Sequence, residues 1–160
     1  MPVAFNARRA AVLVISMQQP ELLDNPRKNL QILVVDGDSV TCFLHIRRLK
    51  QYTSFPTLHF TKGEEALDYI SKNTESDYLI LLAIEIDGMN GWEFLEALDL
   101  FPLKSLVHVI MVSCSISSCD KVRAMSYHQV LDYFEKPLSD VHVQKVPHLP
   151  RLIPYFVSVN

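Results

Sequence analysis

The residues of this chain best suited to chemistry each stand at the end of a short apolar run. Asp36 and Asp38 follow Ile32-Leu33-Val34-Val35, and Glu85 follows the run at 78–84. Ser113 follows the run at 107–112, and Lys136 stands just after the one at 131–134. Carboxylate oxygens hold hard divalent cations such as Mg²⁺. A hydroxyl and an ammonium stabilise the oxygens of a phosphoryl group in transfer. Where the third run would be expected to present a reactive group it presents Ala83 instead. A methyl group neither attacks phosphorus nor accepts a phosphoryl group.

For these groups to meet, the runs must be strands of one sheet. The run at 78–84 is short, apolar throughout and closed by a turn containing Gly88 and Gly91, as expected of a strand buried on both faces. The runs at 31–35, 57–60, 107–112 and 131–134 are of the same kind. Helical stretches separate them. Cys42, Phe43, Ile46 and Leu49 are read as the inner stripe of the first helix, with Ser39 as its cap. Ala66, Leu67 and Ile70 face inward on the second, and Trp92, Leu95 and Leu98 on the third. Val122 and Met125 are the apolar positions of a weaker fourth. Ser139-Asp140 starts a fifth, and Pro147, Pro150 and Pro154 forbid its continuation. This alternation with right-handed crossovers predicts a doubly wound α/β fold: a five-stranded parallel sheet between two helical layers, with the strand ends meeting in one pocket.

Composition narrows the class. A chain of 160 residues that is 49% hydrophobic builds a folded core. The net charge of −3 and scattered basic residues give no nucleic-acid footprint; Arg47, Arg48 and Lys50 read as a solvated helix face. Cys42, Cys114 and Cys119 lack disulfide or metal spacing, and the six histidines form no ligand pair on one helix face. No apolar run spans a bilayer, and no membrane partner is expected. Residues 1–29 are read as an N-terminal extension, 30–146 as the domain, and 147–160 as an apolar, proline-containing tail. That tail either replaces the missing helix end or leaves a sticky surface that a second copy could cover.

Over 30–146 the chain resembles the receiver domains of two-component response regulators, the CheY-like fold. The resemblance rests on Ile32-Leu33-Val34-Val35-Asp36, Gly63-Glu64-Glu65-Ala66-Leu67, Gly88-Met89-Asn90-Gly91-Trp92-Glu93-Phe94-Leu95, Met111-Val112-Ser113 and Tyr133-Phe134-Glu135-Lys136-Pro137, in that order. It implies that Asp36 is one of an acidic pair, Ser113 the switch hydroxyl, Tyr133 the switch aromatic and Lys136 the phosphate-binding lysine, with a cis bond before Pro137. It also implies a bacterial, cytoplasmic setting and a protein partner, either a histidine kinase or a downstream signalling protein, on the face of helix four, strand five and helix five.

The departures from that pattern carry the functional expectation. Ala83 occupies the phosphoacceptor position, Gly37 the position of the direct metal ligand, Asp87 that of a usual proline and Asn90 that of a usual aspartate. Asp36 and Asp38 serve either as helix caps or as a residual cation site, and any Mg²⁺ site is weakened. The expectation is a stand-alone pseudo-receiver with no enzymatic activity that acts by protein–protein interaction. The alternative is a receiver phosphorylated at Glu85, Asp87 or Asp38 with Mg²⁺. A nucleotide- or flavin-binding domain is disfavoured, because no glycine-rich phosphate cradle follows the first strand. A decayed product without function is the remaining reading.

Overall fold

The structure is a computed structural model and describes residues 29–102 and 106–157. The extension expected at 1–29 lies almost wholly outside the described residues. The elements run β1 (Leu30–Val35), α1 (Ser39–Leu49), β2 (Thr57–Phe60), α2 (Gly63–Lys72), β3 (Asp77–Leu82), α3 (Gly91–Leu100), β4 (Val107–Ser113), α4 (Ser118–Met125), β5 (Val130–Glu135), α5 (Asp140–Lys145), a 3₁₀ turn (Val146–His148) and α6 (Ile153–Phe156). The strands form one parallel sheet in the order β2-β1-β3-β4-β5. This is the doubly wound, flavodoxin-like arrangement expected from the alternation. No described helix is long and apolar enough to cross a membrane.

Side chains alternate across each strand, so the sheet feeds two cores. Leu33, Val35, Ile80 and Leu82 pack with Ala66, Leu67, Ile70, Trp92, Leu95 and Leu98 from α2 and α3. Ile32, Val34, Leu79 and Leu81 pack on the other face with Cys42 and Leu49 of α1 and Val143 of α5. Because α5 has only six residues, it buries Val143 alone. The proline-broken segment after it completes this layer. Val146, Leu149, Leu152 and Tyr155 join the second core, Tyr155 Oη donates to Asp77 Oδ2 at 2.7 Å, and Phe156 meets Phe55 edge-on at 5.2 Å. Of the two fates the sequence left open, residues 146–157 take the first and pack in place of a longer helix.

Three local expectations are corrected. Phe43 is 63% exposed. The inner stripe of α1 is Cys42, His45 and Leu49, spaced three and four apart, and Phe43 sits about 100° round the helix from Cys42. Val122 and Met125 point outward, and Ala124 is the buried residue of α4. Asp38, not Ser39, caps α1, with Oδ1 accepting from Val40 N at 3.0 Å.

Candidate functional site

The connections leave the sheet in opposite directions on either side of β1 and β3, which opens a crevice at their carboxyl ends. A cavity of about 390 Å³ lies there, bounded by Asp36, Asp38, Glu85, Asp87, Cys114 and Lys136 among others. The sequence placed most of these groups in one pocket; Cys114, which follows Ser113, was not foreseen there.

Asp36 is buried at the end of β1. Its Oδ1 accepts from Asp38 N at 3.0 Å, and its Oδ2 forms an ion pair with Lys136 Nζ. Lys136 is itself largely buried and held in place by its backbone N–H, which donates to Ser113 O at 2.9 Å. Its bond to Pro137 is cis. Asp38 is turned away into the helix cap, where it also accepts from Thr41 Oγ1 at 2.7 Å. These local hydrogen bonds, the Thr41 hydroxyl foremost, hold its carboxyl below the usual range.

Ala83 is 2% exposed. Its N–H donates to Val35 O at 2.8 Å, so β3 keeps its place beside β1 for one residue past Leu82. Glu85 is exposed, and its backbone carbonyl accepts from Gly37 N at 3.3 Å. The loop then closes onto α3 through a reciprocal cap. Asn90 Oδ1 accepts from Trp92 N and Glu93 N, and Glu93 Oε2 accepts from Asn90 N. The N-x-x-E spacing, not read as a cap from the sequence, is the signature that could have found it. Gly91 is required at the joint, because a Cβ there would lie 2.4 Å from the Ala83 carbonyl oxygen. Gly91→Ala is expected to lower unfolding free energy by about 1–3 kcal/mol, read from a urea titration. An unchanged midpoint would mean that the loop relaxes freely.

The pocket offers Mg²⁺ a weakened donor set, with Glu85 and Asp87 its unengaged carboxylates. The ion needs near-octahedral oxygen ligands with one or two carboxylates. Asp36 is committed to Lys136 and Asp38 to the α1 cap, and among the described residues no group of three His, Cys, Asp or Glu is placed to hold a metal. A Cβ on Gly37 would lie 3.4 Å from both Asp87 Oδ1 and the Glu85 carbonyl oxygen, a distance of ordinary contact.

On the β4–β5 side Ser113 and Tyr133 meet through Ser115. Ser113 Oγ accepts from Ser115 N at 3.1 Å, and Tyr133 Oη donates to Ser115 O at 2.9 Å. Ser115 Oγ in turn donates to Asp120 Oδ2 at 2.5 Å, at the start of α4. Tyr133 is buried. Ser115 thus ties the hydroxyl, the aromatic and α4 into one network, a role that sequence reasoning did not assign to it.

Beneath the site lies His45, 4% exposed on α1. Burial pushes its imidazole below the ordinary 6.5; Asp36 opposes this, and Lys136 and Arg48 reinforce it. The unfolded chain therefore binds a proton at pH values where the folded chain does not. This contribution to stability is complete above about 6.5 and is lost as pH falls from there toward the lowered value of the folded chain. The urea midpoint is expected to drop between about pH 7.5 and about pH 5.5, and His45→Gln to flatten that drop. Equal slopes in the two proteins would contradict the assignment.

The response regulator receiver domain model matches residues 32–146. Among similar solved structures is a two-component response regulator from Legionella pneumophila, at 26% identity and a TM-score of 0.60, covering 72% of this chain and 93% of that one. The N-terminal domain of a response regulator receiver protein from Methanoculleus marisnigri JR1 matches at 25% identity and 0.57, over 75% and 95% of the two chains. A two-component response regulator from Cytophaga hutchinsonii, at 23% identity, matches in fold with a TM-score of 0.65 over 74% and 94%.

Proposed function

The chain belongs to the response regulator receiver domain family of two-component signalling, and from that premise we propose that it is a pseudo-receiver, a domain that takes no phosphoryl group at the usual position and signals by binding a protein. The observation that carries this reading is the buried methyl of Ala83 at the end of β3, beside an Asp36 already paired with Lys136. The hydrogen bonds through Ser115 support it further, since they hold the switch positions together through protein groups alone. The partner face proposed is that of α4, β5 and α5. Ile116 just before α4, and Val122 and Met125 on it, stand exposed at 74%, 73% and 54%, apolar surface that a partner would cover. A histidine kinase, a downstream signalling protein or a second copy of the chain would each meet it.

A second reading keeps the phosphoryl chemistry and moves it. Glu85 and Asp87 line the cavity, and their side chains make no hydrogen bond or ion pair among the described residues. The test is intact mass after incubation with acetyl phosphate and Mg²⁺. The pseudo-receiver reading expects no change. A base-labile adduct mapped to Glu85, Asp87 or Asp38 would replace it with the second.

A further inference from the structure

A second cavity, of about 570 Å³, lies on the far side of Lys136, between α1 and the turn at 136–138. This is the size that holds one small organic molecule. None of its lining residues is acidic, whereas His45, Arg47, Arg48 and Lys136 all face it. Arg48 is neutralised by Asp140 and Lys136 by Asp36. Arg47 has no ion pair among the described residues. Leu44 and the buried Leu138 supply apolar wall.

The group that makes this a site is His45. It is more than nine-tenths buried and lines the cavity, yet its imidazole has no hydrogen-bond partner among the described residues. Its ring nitrogens are not sealed in the core but open onto the cavity, where no protein group engages them. A ligand in the cavity finds the ring free to hydrogen-bond it. The surrounding charge favours an anion, and the leucine walls favour an apolar body.

We propose that this cavity binds a small organic anion, a carboxylate or phosphate monoester carrying an apolar group, with His45 and Arg47 on the anionic end and Leu44 and Leu138 against the body. The inference goes beyond the pseudo-receiver reading and does not rest on it. It has one consequence for the neighbouring site: the ligand would share the Lys136 ammonium with Asp36.

The full chain would be titrated with phenyl phosphate while the imidazole signals of His45 and the methyl signals of Leu44 and Leu138 are followed by NMR. Saturable shifts at all three are expected. Benzyl alcohol, which lacks the charge, and inorganic phosphate, which lacks the body, are each expected to bind at least about tenfold more weakly, the loss typical of one charge-assisted contact or one buried group. Arg47→Glu, an exposed substitution in the last turn of α1 expected to lower the thermal midpoint only slightly, is expected to weaken phenyl phosphate by about tenfold or more. His45→Gln is expected to weaken it as well. The proposal is overturned by the absence of saturable shifts, by benzyl alcohol or inorganic phosphate binding as tightly as phenyl phosphate, or by Arg47→Glu leaving the affinity unchanged.

Discussion

A chain ending at Lys145 is expected to lose its cooperative unfolding transition at room temperature. The family match ends one residue later, at 146, and a domain cut near there by analogy would look complete. Physically it is not. The cut removes Val146, Leu149, Leu152 and Tyr155 from the core on the α1 and α5 side of the sheet. It also removes the Tyr155 hydrogen bond to Asp77. Fully burying side chains of this kind contributes about 1.5–3 kcal/mol each, so the loss is about 6 kcal/mol or more. That matches the whole net stability of many small domains, about 5–15 kcal/mol. Leu30, Ile32, Leu79 and Ile110 share that core and would be left facing water. Circular dichroism with urea gives the answer. A truncated chain that still unfolds cooperatively near the full-length midpoint would show that the segment is an ornament.

The second large effect is expected at Lys136. Lys136→Met keeps most of the side-chain volume but leaves Asp36, only 3% exposed, as an unpartnered buried carboxylate apart from its one bond from Asp38 N. Breaking a buried pair from one side costs about 3–5 kcal/mol, whereas removing both charges together is often close to neutral. The pair Asp36→Asn with Lys136→Met is therefore expected to recover most of what the single change loses. A double-mutant cycle in urea separates the coupling from the packing. A small loss in Lys136→Met, or a double variant no better than the single, would mean that the ion pair is incidental to the pocket.

Much of this architecture was legible because it is written in local patterns. Apolar runs of strand length alternating with helical stripes define the sheet, and the groups at the run ends define the pocket. The misreadings came where local pattern leaves a choice to tertiary contact. Asp38 and Ser39 are both good caps; the choice falls to Asp38, whose backbone N–H is held by Asp36 Oδ1. Phe43 looked like core by hydrophobicity, yet the angular position of Cys42, His45 and Leu49 decides the stripe. His45 was passed over because a polar residue at an inward position breaks the apolar pattern that identifies such a face. In α4 only Ala124 is buried, so the period had little to report. The prolines after α5 show that the helix stops. They do not say that the chain returns to the sheet, because that depends on Asp77 and Phe55, 78 and 101 residues back from Tyr155 and Phe156.

On the pseudo-receiver reading, the acceptor and the metal ligand are both missing from a pocket whose remaining walls are in place. The measurement that bears on it most directly is intact mass after acetyl phosphate and Mg²⁺ on three proteins side by side: the natural chain, Ala83→Asp, and Ala83→Asp combined with Gly37→Asp. The account predicts no phosphoryl group on the natural chain. It predicts a base-labile, Mg²⁺-dependent one on the double variant, where the new carboxylate at 37 extends toward the Glu85 carbonyl and Asp87, with Ala83→Asp alone well below the double. A phosphoryl group on the natural chain, or none on a double variant that remains folded, would contradict it.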